Sequence, residues 1–185
     1  MQEGSRPDTL ASLFAQGTRL PRAEALRIAR SILAELAKMH ATGVLHRNLH
    51  PGCVQFRPDG GVTLSGLELA KEKDDPPRAG GPMSGAIRVM APEQVLGGAV
   101  DERTDIYQAG LIVYRLVAGR PAFEAAGAWA LARKIASEDP VAPRLVDATV
   151  PQDLSDLIVK ALSRDPGGRV ASAADFAERL ARLSS

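Results

Sequence analysis

Cysteine is almost absent from this chain of 185 residues: Cys53 stands alone. No intramolecular disulfide can form, which suits a reducing compartment. Aromatic residues make up only 4% of the sequence, so aliphatic side chains and alanine have to fill the core. Charge of either sign is not in excess. Lys and Arg total 23, Asp and Glu 22, and the formal net charge is +1. That excludes the basic stripe on which nucleic-acid binding depends. No apolar run is long enough to cross a membrane. The longest, around residues 110–118, is interrupted by Tyr114 and Arg115 and falls far short of the roughly 20 residues a spanning helix needs. The opening stretch MQEGSRPDTL has no apolar signal core. The expectation is a cytoplasmic protein that engages neither nucleic acid nor membrane.

What is present is helical periodicity. Residues 8–16 read as a short helix capped by Asp8 or Thr9, with Leu10, Leu13 and Phe14 on one side. Pro21 opens a long helix over 21–41, where Leu26, Ile28, Ile32, Leu33, Leu36 and Met39 form the apolar stripe, and Gly43 ends it as a left-handed cap. Val54–Phe56, the turn RPDGG and Val62–Leu64 read as a small hairpin. Residues 71–85, rich in Gly, Pro and charge, read as a mobile loop. Helices follow over 91–97, from a cap at Thr104 to Ala118, and over 126–137, 152–163 and 172–182. Apolar residues on more than one face mark the 104–118 helix as buried in the middle of the domain. Trp129 is assigned to the core. The whole is one domain, 1–185, mainly α with one small hairpin.

The segment His46-Arg47-Asn48-Leu49-His50-Pro51-Gly52-Cys53-Val54 resembles the protein-kinase catalytic loop, H-R-D-L-K-P-x-N-I. Its neighbours agree in order and spacing. Leu64-Ser65-Gly66-Leu67-Glu68-Leu69-Ala70 stands where the D-F-G-L-A metal-binding segment belongs. Gly85-Ala86-Ile87-Arg88-Val89-Met90-Ala91-Pro92-Glu93 resembles the end of the activation segment, G-T-x-x-Y-x-A-P-E. Asp101 to Gly119 looks like the central buried helix, and Asp165-Pro166-Gly167-Gly168-Arg169 like the D-P-x-x-R turn before the last helix. The chain thus resembles the C-terminal lobe of a bacterial Ser/Thr kinase of the eukaryotic (Hanks) type. The resemblance implies a kinase C-lobe-like fold that starts at about the hinge between lobes, with the N-lobe absent. The sequence has neither G-x-G-x-x-G nor V-A-I-K, and residues 71–85 take the place of the activation-segment loop.

The same resemblance sets out what is replaced. The catalytic base is Asn48, whose amide has no useful basicity; loss of such a base alone costs on the order of 10²–10⁴ in rate. The lysine that steadies the γ-phosphate is His50. The Mg²⁺-binding Asn is Cys53, a soft thiol where a hard cation wants oxygen. The metal-binding Asp is Gly66, the residue under the adenine is Gln55, and the activation-segment Thr is Ala86. Positions that hold the lobe together are retained: His46, Arg47, Glu93, Asp105 and Arg169. From that split the expectation is a pseudokinase: not an enzyme, binding no ATP or Mg²⁺, and serving as a scaffold or regulatory subunit. The alternative is one half of a split Ser/Thr kinase with its N-lobe supplied in trans. Phe14, Val54, Phe56 and Leu64 would lie on the face that an N-lobe normally covers, so a protein partner or a second copy is expected there. His40, His46, His50 and Cys53 lie between positions 40 and 53, but Pro51-Gly52 breaks any helix that would align them, and no metal site is expected. Ser84 is read as an unmodified loop residue.

Overall fold

The computed structural model describes residues 7–66, 71–72 and 87–183. The first helix, α1 (Leu10–Ala15), starts at Thr9, whose hydroxyl accepts from the Ser12 N–H. The second, α2 (Arg22–Ala41), begins after Pro21 and ends at Thr42, with Gly43 at φ 76 providing the left-handed exit. Its predicted stripe is the buried one: Leu26, Ile28, Ile32, Leu33 and Leu36 face inward.

Four short strands follow, β1 (Val44–Leu45), β2 (Val54–Phe56), β3 (Val62–Leu64) and β4 (Lys71–Glu72). β2 and β3 form the expected antiparallel hairpin, with Val54 opposite Leu64 and Phe56 opposite Val62. β1 pairs antiparallel with β4. The stretch 71–85 therefore opens as strand, because Lys71 and Glu72 find backbone partners in Leu45 and Val44. The rest of that expected loop, with Ser84, lies outside the described residues.

The remaining helices are α3 (Pro92–Leu96), α4 (Glu102–Ala118), α5 (Ala128–Ser137), α6 (Pro143–Val146), α7 (Gln152–Ala161) and α8 (Ala173–Arg182). The cap of α4 is Asp101 and not Thr104. The Asp101 carboxylate accepts from the Arg103 N–H, while the Thr104 hydroxyl sits inside the first turn, 3.4 Å from the Asp101 amide. Ile106, Tyr107, Ala109, Ile112, Val113 and Tyr114 are all buried, so α4 is enclosed on several faces. It packs against α2 on one side and α7 on another. At Gly110 a Cβ would come 3.1 Å from a Leu162 methyl and 3.3 Å from the Ala161 Cβ, so glycine lets α4 and α7 approach closely. Trp129, assigned to the core, is instead 80% exposed; α5 turns Leu131, Ala132 and Ile135 inward.

One ion pair ties the end of the activation-segment region to the last third of the chain. The Arg169 guanidinium is wholly buried and grips Glu93 with two hydrogen bonds, Nη1 to Oε1 at 2.8 Å and Nη2 to Oε2 at 2.7 Å. Its other N–H groups donate to the carbonyls of Arg103 and Ser163 at 2.8 Å and of Arg164 at 3.3 Å. The Thr104 hydroxyl donates to Glu93 Oε1 at 2.6 Å. Arg169 also lies 4.8 Å from the centroid of the Tyr107 ring. A pair with its hydrogen bonds this well satisfied survives burial, but removal of one partner leaves the other charge stranded.

Arg169→Met should therefore destabilise the lobe by about 3–5 kcal/mol in urea unfolding, a large share of the roughly 5–15 kcal/mol a domain has. Arg169→Met with Glu93→Leu should cost less than the sum of the two single changes.

Acid should act on the same pair. Burial pushes the Glu93 carboxyl up, but hydrogen bonds from Arg169 and then Thr104 outweigh it and hold Glu93 below the usual glutamate range. The unfolded chain then takes up the proton first as pH falls, so this contribution is complete above the usual range and is lost as pH drops through the folded value. Urea midpoints measured from about pH 7 down to about pH 3 should fall more steeply for the wild type than for Glu93→Gln.

Candidate functional site

Residues 46–53 leave β1 and cross the N-terminal half of α4, and a single carboxylate sets their course. Asp105 is completely buried. Its Oδ1 accepts from the Arg47 N–H at 2.7 Å and its Oδ2 from the His46 N–H at 2.8 Å. His40 Nε2 lies 2.9 Å from the same Oδ2, and because a carboxylate oxygen only accepts, that nitrogen carries a proton. Arg47 takes φ 63, alone among the described non-glycine residues in the left-handed region. Such a backbone costs about 1–3 kcal/mol and persists only where its surroundings hold it. The two amides bound to Asp105 do so.

Two glutamines that the sequence reading did not single out complete the frame. Gln108 is buried; its Oε1 accepts from the Leu49 N–H at 2.8 Å and its Nε2 donates to the Arg47 carbonyl at 3.0 Å. Gln94 Nε2 donates to the same carbonyl at 2.8 Å, and Gln94 Oε1 accepts from the Ala91 N–H and from Gln108 Nε2, both at 3.0 Å. The start of α3 is thereby tied to the loop. A glutamine in the middle of an otherwise apolar buried helix was the available signal, since a buried amide has to find partners.

The replaced positions are also placed. Pro51–Cys53 forms one 3-10 turn capped by His50, whose Nδ1 accepts from the Gly52 N–H at 3.1 Å. A Cβ on Gly52 would meet the His50 ring at 2.9 Å, so a side chain at this position would have to displace that ring. Burial, and then the nearby His46, hold His50 below the usual histidine range, which keeps it neutral near pH 7. Cys53 is buried, with Sγ 3.7 Å from the Asn48 carbonyl oxygen. His46 is buried and its Nε2 lies 3.2 Å from the Ser65 carbonyl, next to Gly66 at φ 80. Asn48 is half-buried. Ala86 lies outside the described residues. The structure thus gathers His46, Arg47, Asn48, His50, Cys53 and Gly66 around one loop. Glu93 and Arg169 form a separate lock below it.

The expected apolar face needs correction. Val54, Phe56, Val62 and Leu64 all lie on one side of the hairpin, because residues two apart in a strand share a face. That side packs inward. Val54 and Leu64 are buried and Phe56 half-buried, while Gln55 and Thr63 point outward. Of the four candidates, Phe14 is the one that borders an opening. A groove of about 710 Å³ runs beside the loop, walled by Phe14, Asn48, His50, Leu111, Arg115 and Phe123. The Arg115 guanidinium lies 4.2 Å from the Phe14 ring centroid.

The Protein kinase domain family matches residues 1–179. The chain is 31% identical over 169 residues to the serine/threonine-protein kinase PksC of Streptomyces coelicolor, covering 90% of this chain and 30% of that protein. It is 35% identical over 167 residues to the serine/threonine-protein kinase pkn3 of Myxococcus xanthus, covering 84% and 30%. It is 30% identical over 168 residues to the probable serine/threonine-protein kinase PknB of Corynebacterium glutamicum, covering 87% and 26%. The chain thus spans 30% or less of the length of these relatives. Two expectations are overturned by these matches. A protein kinase domain whose relatives are Ser/Thr kinases points to an enzyme, not to a protein without activity, and such kinases ordinarily use ATP and Mg²⁺, not no cofactor. The side chains at the positions that the resemblance gives to Mg²⁺ do not themselves fit it. Cys53 offers a buried thiol and Gly66 no side-chain donor. Among the described residues, no three of His, Cys, Asp and Glu converge as a metal site, and no helix is long and apolar enough to cross a membrane. Match, relatives and the Asp105-centred loop agree: the chain belongs to the protein kinase domain family.

Proposed function

We propose that this lobe serves as a protein-binding scaffold or regulatory unit within the protein kinase family. One observation carries the reading: an open groove of about 710 Å³ lies against the loop that Asp105, Gln94 and Gln108 hold in place. A partner that settles there meets a pre-ordered wall and loses little conformational entropy of the lobe's own. Phe14 gives that wall an apolar anchor and Arg115 a charged one. The occupant is a protein segment, from a different chain or from a second copy of this one.

A second reading is favoured by the Ser/Thr kinases among the relatives. Here the lobe is one half of a split kinase, and an ATP-binding lobe supplied in trans completes the phosphoryl-transfer site. The retained frame of His46, Arg47 and Asp105 would then position the substrate-side loop for that second half.

Thermal unfolding separates the two. Anything that binds the folded state at a hundredfold excess over its Kd stabilises by about 2.7 kcal/mol, or about 5–10 °C in a domain of this size. The scaffold reading expects that rise from a co-purified protein partner, or from self-association seen by light scattering, with no nucleotide present. It also expects Phe14→Asp to abolish the rise. If the rise demands ATP together with Mg²⁺ and is lost in EDTA, the split-kinase reading stands and the scaffold reading does not.

A further inference from the structure

His50 holds its own turn in two ways. Its backbone carbonyl accepts from the Cys53 N–H at 2.9 Å, and its Nδ1 accepts from the Gly52 N–H at 3.1 Å. To reach that second amide the imidazole folds back over the turn. Its Cε1 and Nδ1 stand 2.9 and 3.0 Å from the place a Gly52 Cβ would take. A nitrogen that accepts carries no proton, so the neutral ring has its proton on Nε2. Protonation makes Nδ1 a donor as well. Two donors then face each other across the turn, and the cap becomes a repulsion.

The surroundings offer such a proton no counter-charge. On the loop itself the ionisable neighbours are His46, Arg47 and the buried thiol of Cys53. α1 packs against the turn and lines the space with Ala11, Phe14 and Ala15, none of them charged. Across the groove the 87–89 turn brings Arg88 and α4 brings Arg115. Among the described residues, no Asp or Glu lines this space. Asp105, the carboxylate beneath the loop, is already committed to the His46 and Arg47 amides and to His40. Burial, and then His46, accordingly hold His50 below the usual histidine range.

We propose that His50 is a proton-operated latch: neutral, its imidazole caps the 51–53 turn, and protonated, it lets go of the Gly52 amide and turns toward water. The device belongs to this chain's own residue choice. A lysine, which the kinase resemblance gives to this position, has only donors and cannot make the cap. Acid thus changes the loop wall of the groove from uncharged and capped to charged and uncapped. The folded chain holds this proton less tightly than the unfolded chain does. The latch's contribution to stability is therefore complete above the usual histidine range and is lost as pH falls from there through the folded value.

Nuclear magnetic resonance on the full 185-residue chain tests this. Imidazole nitrogen shifts follow the titration of His50, and amide hydrogen exchange, divided by the intrinsic rate at each pH, gives the protection of Gly52. Between about pH 7.5 and about pH 5, that protection should fall about fivefold in step with His50, the size expected for a lost side-chain cap. The Leu49 amide, held in the same loop by Gln108 Oε1 at 2.8 Å, should keep its protection. His50→Asn retains a side-chain acceptor at every pH, so Gly52 should stay protected throughout. His50→Lys should leave Gly52 weakly protected even at about pH 7.5. Constant Gly52 protection across the wild-type titration overturns the inference, and so does an equal fall in His50→Asn. Parallel loss at Gly52 and Leu49 overturns it as well, because the whole loop is then opening. The wild-type measurement decides the matter without any substitution, so a variant that fails to fold does not blunt the test.

Discussion

The buried carboxylate of Asp105 is the constraint on which the functional end of this lobe depends. It sits in the first turn of α4, the most enclosed helix of the fold, and accepts from two consecutive backbone amides, those of His46 and Arg47. An isolated carboxylate buried to this extent would be untenable in an apolar interior. Here the backbone itself supplies the donors, and His40 supplies another. The consequence runs both ways. The loop satisfies the helix's charge, and the helix holds the loop in a conformation that includes a left-handed arginine. Neither would keep its present form without the other.

A second charged anchor works at a different level. Glu93 and Arg169 join the N-terminal end of α3 to the turn before α8, which are distant in sequence. Gln94, the next residue after Glu93, reaches the Arg47 carbonyl. The lock at the bottom of the lobe and the frame at its top are thus adjacent along α3. The loop that holds Arg47 also walls one side of the groove through Asn48 and His50.

Much of this was legible in the sequence because the signals were local or belonged to a family pattern. The stripe of α2, a cap at Asp8 or Thr9, of which the structure uses Thr9, and the left-handed exit at Gly43 follow from periodicity and capping. Asp105, Glu93 and Arg169 were singled out through the kinase resemblance, and the structure supplies the hydrogen bonds each makes. Other features were hidden for physical reasons. Val54 and Leu64 read as apolar but not as inward-facing, since only pairing with the rest of the fold tells which side of a hairpin is covered. Asp101 and Thr104 are both good caps by type, and three-dimensional geometry chose the former. Trp129 shows that a large aromatic on an amphipathic helix can face outward when smaller neighbours fill the core. The family comparisons corrected the largest step, from altered side chains to absence of enzymatic function.

The lone thiol of Cys53 has a consequence of its own. It is shut inside the loop, between the Asn48 carbonyl and the hairpin, and no other sulfhydryl competes with it for a reagent. A thiol-modifying dye can reach it only when this part of the lobe opens. The speed of labelling is therefore a clock set by the loop itself. It times the opening of the Asp105-held segment separately from global unfolding, with no engineered probe and no added label site.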